Sequence, residues 1–204
     1  MKLYYIPGSC SLAVHIALNE IGADFKIEKV DTKQGVTETG ADYAAINPDG
    51  YVPALSVGTG DVFTEAPAIL QYLADTAPAS NLAPAAGTVD RVRLQQQLNF
   101  TASELHKSFS PFFAEKLPEG DAKEAALTKL FKKFAHLERL LSDGREFVMG
   151  KDFTVADAYN FVVASWAVPT GIGLDRWPNV AAFVERVSKR PAVMKAMQAE
   201  GLIA

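Results

Sequence analysis

The sequence predicts an α/β unit followed by an all-helical unit. Residues 2–6 have the aromatic and branched content of a buried strand, and residues 25–30 alternate apolar and polar side chains as a strand does. A stretch of prolines and small residues, 76–89, follows and is expected to be a linker. Beyond it the apolar residues recur only at helical spacing. We therefore place the domains at residues 1–80 and 87–204.

The first unit is predicted to begin with a strand, a helix and a second strand. Pro7-Gly8-Ser9 ends the first strand, because proline and glycine interrupt regular structure. The helical pattern after this turn stops at Gly22, a residue suited to the left-handed position that closes a helix. The second strand covers 25–30.

The rest of this unit is predicted to be a turn, a hairpin and a helix. Residues 31–47 are polar, and only 42–45 offers a weak helical pattern. Gly58-Thr59-Gly60 separates two apolar runs, which indicates a hairpin. The resulting order, β-α-β-(α)-β-β-α, is the thioredoxin-like arrangement. The turn, the two hairpin strands and the helix are placed at 47–50, 54–57, 61–64 and 65–75.

The second unit is predicted to be a bundle of helices. Thr154 and Asp157 have the spacing of a capping box, in which each side chain accepts a hydrogen bond from the backbone N–H of the other residue. We assign this pair to the structure of a helix start. The predicted helices cover 90–113, 122–142, 155–168, 178–190 and 192–200.

Composition excludes several classes of protein. The chain of 204 residues has a formal net charge of −4 and scattered basic residues, so we expect no nucleic-acid partner. Its apolar runs are shorter than the roughly 20 residues of a membrane span, and its N-terminus lacks a signal-peptide pattern. The single cysteine cannot form an intrachain disulfide. We expect a cytoplasmic protein without a membrane partner and, since no metal-spaced cluster is present, without a metal.

Cys10 is the first candidate for chemistry. It follows a strand and a turn and precedes a helix, so its sulfur is expected at a helix N-terminus, which favours the thiolate. The alternative is a buried cysteine that serves only as a small apolar side chain. Because no second cysteine follows as in Cys-x-x-Cys, any disulfide chemistry needs an external thiol.

Two further dipeptides in the first unit suggest a peptide-like ligand. Val52-Pro53 directly precedes a strand, and a cis bond there would let the backbone of Val52 pair with an extended peptide. Glu65-Ala66 opens a helix, whose first N–H groups suit a carboxylate while Glu65 suits an ammonium. The purely structural alternatives are that Pro53 is a trans proline that ends a loop and that Glu65 only offsets the helix dipole.

A polar stripe marks the first helix of the second unit. Asn99, Ser103 and His106 have spacings of four and three, which place them on one face of an α-helix. His106 could donate to a sulfur or carry a proton, or it could be a satisfied interface histidine. Of the adjacent residues Tyr4 and Tyr5 on the first strand, one is expected in the core and the other at a cleft.

Several motifs together resemble bacterial beta-class glutathione transferases, and the resemblance covers the whole chain. It implies a thioredoxin-like domain, a helical domain, a homodimer, and glutathione as co-substrate with no further cofactor. The motifs are Met1-Lys-Leu-Tyr-Tyr, Pro7-Gly-Ser-Cys-Ser-Leu, Asn47-Pro, Tyr51-Val-Pro-Ala-Leu, Thr64-Glu-Ala-Pro-Ala-Ile-Leu-Gln-Tyr-Leu-Ala-Asp, Asn99-Phe, Glu104-Leu-His-Lys, Phe153-Thr-Val-Ala-Asp-Ala-Tyr, and Arg190-Pro-Ala with Glu200-Gly-Leu-Ile.

The resemblance also assigns roles to residues. It implies that Cys10 stands where related enzymes use Tyr or Ser at the glutathione sulfur, and that His106 acts beside it. Val52 is then expected to pair with the glutathione backbone, and Glu65 with Ala66 to bind the γ-glutamyl end. The other expected glutathione contacts are Tyr5, Ser11, Pro53, Asn99, Ser103, Glu104 and Lys107.

The chain departs from the family at two positions of the expected site. Ala66 replaces the usual serine, which removes a hydroxyl contact to the glutathione carboxylate. Gly35 replaces a basic residue, and we expect Lys33 to take its place. Weaker glutathione binding than in related enzymes is the expected consequence.

The sequence analysis leaves three functions open. The first is conjugation of glutathione to small hydrophobic electrophiles, with thiol–disulfide activity possible at Cys10. The second is a glutaredoxin-like redox enzyme in which Cys10 forms a mixed disulfide with glutathione. The third is a non-catalytic dimer that binds hydrophobic ligands.

Overall fold

The computed structural model describes residues 1–204 and divides into two compact units. The first unit joins Met1–Ala83 with Lys189–Ala204, and the second is Pro84–Ser188. This division differs from the predicted domains of 1–80 and 87–204, because the last helix of the chain packs with the first unit. Its sequence pattern identifies it as a helix but carries no information about its packing partner.

The elements follow the predicted order closely. In the first unit they are β1 (Lys2–Tyr5), α1 (Ser11–Glu20), β2 (Lys26–Asp31), β3 (Val36–Thr37), β4 (Ala54–Ser56), β5 (Val62–Phe63), α2 (Ala66–Thr76) and a 3₁₀ turn at Pro78–Ser80. The helices of the second unit are α3 (Val89–Phe100), a π-helical segment (Thr101–His106), α4 (Lys107–Phe109), a 3₁₀ turn (Ser110–Phe112), α5 (Gly120–Leu141), α6 (Val155–Ser165) and α7 (Pro178–Ser188). The final helix, α8 (Pro191–Ala199), belongs to the first unit.

A five-stranded mixed sheet forms the centre of the first unit. Its strand order is β3-β2-β1-β4-β5. β1 pairs in parallel with β2 and antiparallel with β4, and β4 and β5 form the predicted hairpin. Leu3 in β1 is fully buried, with Leu55 beside it in β4. The predicted thioredoxin-like class of this unit, followed by an all-helical unit, is confirmed.

Helix α1 connects the other helices of the first unit, including the C-terminal helix α8. α1 is buried from Ser11 through Leu18, and it contacts both α2 and α8. An apolar helix with nearly every position buried requires neighbours on more than one side. Gly22, with φ +63°, follows the end of α1 in the left-handed conformation, as its glycine predicted.

The predicted weak helix at 42–45 is wrong. The chain forms a turn there, in which the N–H groups of Ile46 and Asn47 both donate to the carbonyl of Tyr43. The Tyr43 side chain is only 1% exposed and packs with Tyr4 at a ring distance of 5.8 Å. The buried Tyr43 side chain thus fixes this segment without a helix. The strand β3 has only two residues, which is too short for a recognisable sequence pattern.

The second unit is built around α6. Its residues from Val155 to Ala164 are all buried. The predicted capping box at Thr154 and Asp157 is present. Asp157 accepts hydrogen bonds from the Thr154 N–H at 2.8 Å and from the Val148 N–H at 2.7 Å. These bonds tie the preceding loop to the helix start. None of the helices in the structure is both long enough and apolar enough to cross a membrane.

Candidate active site

Cys10 lies at the point where the loop after β1 enters α1. It is the N-terminal capping residue of the helix, as the strand–turn–helix pattern predicted. Its thiol is partly exposed, is not in a disulfide, and donates to the Val52 carbonyl oxygen at 3.4 Å. Rotation of the thiol can turn its hydrogen from the Val52 carbonyl to another acceptor at little cost in free energy. The thiol is therefore a hydrogen-bond donor at a partly exposed position.

The loop that carries Cys10 is fixed on both sides. Ser11 is fully buried, and its hydroxyl lies 3.3 Å from both the N–H and the carbonyl of Ile6 and 2.8 Å from the Ser9 hydroxyl. Gly8, with φ +70°, donates its N–H to the Glu200 carboxylate at 2.9 Å. Only glycine adopts this backbone conformation without a steric cost. The hydrogen bonds of Ser11 and of Gly8 therefore hold the loop before Cys10 in place.

Val52-Pro53 is a cis peptide bond, as the sequence analysis favoured. The carbonyl of the preceding residue, Tyr51, accepts hydrogen bonds from the Tyr43 hydroxyl at 3.0 Å and from the Asn47 amide at 2.7 Å. This segment is thereby held against the turn at Tyr43. The two bonds keep the Val52 backbone at a fixed place beside the Cys10 sulfur.

Glu65 caps α2 in a strained backbone conformation. Its φ is +64° and its ψ is +106°, values that a non-glycine residue seldom adopts. Its carbonyl accepts from the Ala68 N–H, and Pro67 has no N–H, so Ala66 supplies the available amide of this first turn. The Glu65 carboxylate accepts from the Tyr51 hydroxyl at 3.3 Å. Strain of this kind is found at ligand sites, where the surrounding structure holds it.

His106 ends the π-helical segment of the second unit. Its Nδ1 lies 3.0 Å from the Tyr159 hydroxyl, and its ring centre lies 4.7 Å from that of Trp166. Burial, with a smaller contribution from the nearby Lys107 charge, lowers the pKa of His106 to about 4. The imidazole is therefore neutral near pH 7, with one ring nitrogen engaged by Tyr159.

The polar stripe predicted beside His106 is arranged differently from the expectation. The Ser103 hydroxyl donates to the Asn99 carbonyl at 2.8 Å, and both residues are exposed. Glu104 forms an ion pair with Lys133 of α5, which lowers the pKa of its carboxyl. Thr101–His106 is π-helical, so the α-helical spacing assumed for the stripe does not apply. π-helical segments often occur at functional sites.

Tyr5 and Lys33 are the two remaining candidates of the first unit. Tyr5 is 7% exposed and its ring packs near His15 at 6.4 Å, and burial raises the pKa of its hydroxyl. Tyr4 is equally buried, so neither tyrosine forms a wall open to solvent. Lys33 lies in the exposed turn after β2, where its N–H donates to Asp31 at 3.0 Å.

The structure adds two residues that the sequence analysis did not select. Tyr51 contacts the Glu65 carboxylate, and its place beside Val52 was the available signal. Tyr159 contacts His106 across 53 residues, and no local pattern could have indicated that pair. No group of three or more His, Cys, Asp or Glu side chains is arranged to hold a metal ion.

Comparison with known proteins identifies the family. Models of the N-terminal and C-terminal domains of glutathione S-transferase match residues 8–76 and 100–191. Glutathione S-transferase GstA of Escherichia coli O157:H7 is 43% identical over 202 residues, which cover 99% of this chain and 100% of the relative. Glutathione S-transferase GST-4.5 of Xanthomonas campestris pv. campestris is 36% identical over 208 residues, with 99% and 100% covered.

Solved structures agree with this result. A sphingomonad glutathione S-transferase complexed with glutathione is 46% identical, has a TM-score of 0.94 and is matched over 100% of both chains. A bacterial beta class glutathione S-transferase of Sphingomonas chungbukensis is 45% identical, has a TM-score of 0.95 and is also matched over 100% of both chains. The resemblance seen in the sequence motifs is confirmed, and the chain belongs to the glutathione S-transferase family.

Proposed function

We propose that this glutathione transferase conjugates glutathione to small hydrophobic electrophiles with Cys10 as the residue at the glutathione sulfur. The observation that carries this assignment is the Cys10 thiol, which donates to the Val52 carbonyl at the start of α1. When glutathione binds, the same hydrogen can point to the glutathione sulfur. A hydrogen bond to an anion is stronger than one to a neutral carbonyl, which favours the thiolate of glutathione.

The rest of the first unit supplies the binding groups for the tripeptide. The Val52 backbone beside Pro53 pairs with the extended peptide, and the Glu65 carboxylate takes the ammonium group. The Ala66 amide, at the positive end of α2, takes the α-carboxylate in place of the missing serine hydroxyl. Tyr5, Ser11 and Lys33 are also proposed as glutathione contacts, and the family resemblance alone supports them.

The family resemblance supports a role for His106 and its exposed neighbours, which belong to the second unit. His106 is neutral near pH 7, and one of its ring nitrogens faces Tyr159, so the other can take part in a hydrogen bond to sulfur. Lys107 adds positive charge that favours an anionic sulfur. Asn99, Ser103 and Glu104 are the remaining proposed glutathione contacts.

The conjugation step transfers one electron pair. The glutathione thiol loses its proton to solvent, and the resulting thiolate attacks the electrophilic carbon. A carbon–sulfur bond forms as the bond to the leaving group breaks, and the leaving group departs with that bonding pair. The protein lowers the barrier by holding the thiolate and by positioning the two reactants.

A second activity is supported by the partial exposure of Cys10. As a thiolate, Cys10 attacks the glutathione sulfur of a mixed disulfide and releases the other thiol. A second glutathione then attacks Cys10–S–SG, which forms oxidised glutathione and restores the Cys10 thiolate. If neither reaction occurs, the remaining possibility is a non-catalytic dimer that binds hydrophobic ligands.

One variant separates these activities. We expect Cys10→Ala to retain part of the conjugation of glutathione to 1-chloro-2,4-dinitrobenzene, since backbone and His106 contacts remain. The same variant should lose all glutathione-dependent reduction of a mixed disulfide. Mass spectrometry under non-reducing conditions, after treatment with oxidised glutathione, should show one adduct on the wild type and none on Cys10→Ala. Unchanged disulfide reduction by Cys10→Ala would rule out the redox step.

We also propose a cytoplasmic homodimer. The family resemblance supports both statements, and light scattering of the purified protein tests the oligomeric state. A monomeric mass at micromolar concentration would contradict the dimer.

A further inference from the structure

Two aromatic side chains from α6 and its C-terminal end hold the ring of His106. The Tyr159 hydroxyl lies 3.0 Å from His106 Nδ1, and the two rings meet at an interplanar angle of 87°. The Trp166 ring, which follows the last residue of α6, packs on the imidazole at a centre distance of 4.7 Å and an angle of 77°. Contacts with two rings and one hydrogen bond fix the rotation of the imidazole.

The two nitrogens of this imidazole have different surroundings. Nδ1 is bonded to Tyr159, a side chain that is only 2% exposed. His106 itself is half-buried, and its Nε2 is not among the buried atoms that lack a hydrogen-bond partner. Nε2 is therefore the ring nitrogen that a ligand can reach, and Nδ1 is the one that the protein holds.

The π-helical segment explains why His106 reaches α6. Hydrogen bonds in such a segment span five residues, so a turn contains more residues than an α-helical turn, and the residues after it are rotated about the helix axis. Asn99 and Ser103, which would share a face with His106 in an α-helix, are exposed. The segment thus turns His106 away from this exposed face and toward the buried Tyr159 hydroxyl.

The chemistry of the two groups determines which atom carries the hydrogen. A phenol is a stronger acid than the N–H group of a neutral imidazole, and an imidazole lone pair is a stronger acceptor than a phenol oxygen. The Tyr159 hydroxyl is therefore expected to donate to Nδ1, and the partner of one ring nitrogen sets the state of the other. The ring is neutral near pH 7 because burial lowers the pKa of His106. Its one hydrogen then lies on Nε2.

We propose that Tyr159 is a positioning residue that fixes His106 as the neutral Nε2–H tautomer, so that His106 acts as a hydrogen-bond donor and not as a base. A donor at Nε2 suits an anionic acceptor. Under the proposed function, on which this step rests, that acceptor is the glutathione thiolate. The opposite tautomer would direct a lone pair at the thiolate and repel it.

Nuclear magnetic resonance of the ring nitrogens tests the tautomer in the protein without glutathione. A proton–nitrogen correlation spectrum distinguishes a protonated from an unprotonated ring nitrogen, and the signals of His106 are those that are missing from His106→Asn. We expect Nε2 to be protonated and Nδ1 to be unprotonated in the wild type. Tyr159→Phe keeps the aromatic ring and removes only the hydroxyl. In this variant the ratio of the Nε2–H to the Nδ1–H tautomer should fall roughly 5-fold, since one hydrogen bond is lost.

Tyr72→Phe provides the matched control, because it also removes one tyrosine hydroxyl and its ring packs on Phe63 of the first unit. It should leave the signals of His106 unchanged. Circular dichroism of each variant checks that the helices are intact. A wild-type protein in which Nδ1 is protonated would overturn the proposal without any variant. An unchanged tautomer ratio in Tyr159→Phe, or an equal change in Tyr72→Phe, would also overturn it.

Steady-state kinetics test whether Tyr159 acts through His106. We expect Tyr159→Phe to lower kcat for 1-chloro-2,4-dinitrobenzene roughly 2- to 5-fold, because both the tautomer and the ring rotation are released, and to change the KM for glutathione less than about 2-fold. In a His106→Leu background the same change should cause no further loss. Equal losses in both backgrounds would show a merely structural role and overturn the proposal. A protein without any transferase activity would refute the proposed function, whereas the spectrum of the unliganded protein would still support or overturn the tautomer assignment.

Discussion

Glu65 combines a strained backbone with an exposed charge, and both fit the binding role proposed for it. A φ of +64° costs of the order of 1–3 kcal/mol for a residue with a side chain. The folded chain retains this cost at the first turn of α2, where the carboxylate meets Tyr51. This strain is consistent with the glutathione contact proposed for the Glu65 carboxylate.

Replacement of Glu65 by glycine should have opposite effects on the stability of the fold and on glutathione binding. We expect Glu65→Gly to increase the free energy of unfolding by about 1 kcal/mol, because glycine adopts the observed φ without strain. The same variant should raise the KM for glutathione about 10-fold or more, since a charged hydrogen-bond partner is lost. Urea unfolding and steady-state kinetics provide the two measurements. Tyr51→Phe, which keeps the carboxylate, should have a smaller effect on KM, and a Glu65→Gly variant that binds glutathione normally would refute the assigned role.

His106 makes the stability of the protein depend on pH. Its pKa is about 4 in the folded chain and near its ordinary value of 6.5 in the unfolded chain. Between these values the unfolded chain binds the extra proton, so stability falls as the pH decreases from about 6.5 to about 4. We expect His106→Asn to lose less stability than the wild type between pH 6.5 and pH 5, as measured by urea unfolding.

Asp157 has the opposite effect on stability over an overlapping pH range. Burial raises its pKa to about 6, so the folded chain holds a proton that the unfolded chain has released, and stability falls as pH rises through this range. Because Asp157 is common to both proteins, its contribution cancels when wild type and His106→Asn are compared. Identical pH profiles for the two proteins would contradict a neutral, buried His106.

At the scale of elements, the start of α6 depends on one side chain. Asp157 accepts from the N–H groups of Val148 and Thr154 and from the Thr154 hydroxyl, and it is fully buried. We expect Asp157→Asn to reduce the free energy of unfolding by about 2–4 kcal/mol, because an amide nitrogen cannot accept and buried donors lose their partners. Thr154→Ser keeps the hydroxyl and should cost much less. Urea unfolding of both variants measures the difference, and equal costs would show that the hydrogen bonds do not stabilise the helix start.

Elements with local signals were predictable, and those without were not. The helices have apolar periodicity and recognisable ends, and the hairpin has Gly58-Thr59-Gly60 between its strands. The π-helical segment at Thr101–His106 has no such signal, since its residues suit an α-helix equally well. For the same reason the position of Cys10 at a helix start was predictable, whereas the contact of His106 with Tyr159 was not.

At the scale of the whole chain, contacts join segments that are far apart in sequence. α8 packs on α1, and Glu200 after it accepts from the Gly8 N–H at 2.9 Å and lies 2.9 Å from His15 Nδ1. Both Glu200 and His15 are buried. The C-terminal segment therefore holds the loop that presents Cys10, although nothing in the local sequence around Glu200 indicates this.

Removal of the Glu200 carboxylate should affect both stability and the thiol. We expect Glu200→Ala to reduce the free energy of unfolding by about 2–4 kcal/mol, because the buried His15 ring and the partly buried Gly8 N–H lose their contact with the carboxylate. The Gly8 amide should exchange with solvent faster, and alkylation of Cys10 by iodoacetamide should change in rate, since the loop is released on one side. Gln198→Ala, which removes an exposed contact to Ala204 on the same segment, should leave all three measurements unchanged. Slow Gly8 exchange in folded Glu200→Ala would mean that α8 packing alone holds the Cys10 loop, and that the carboxylate contributes only to stability.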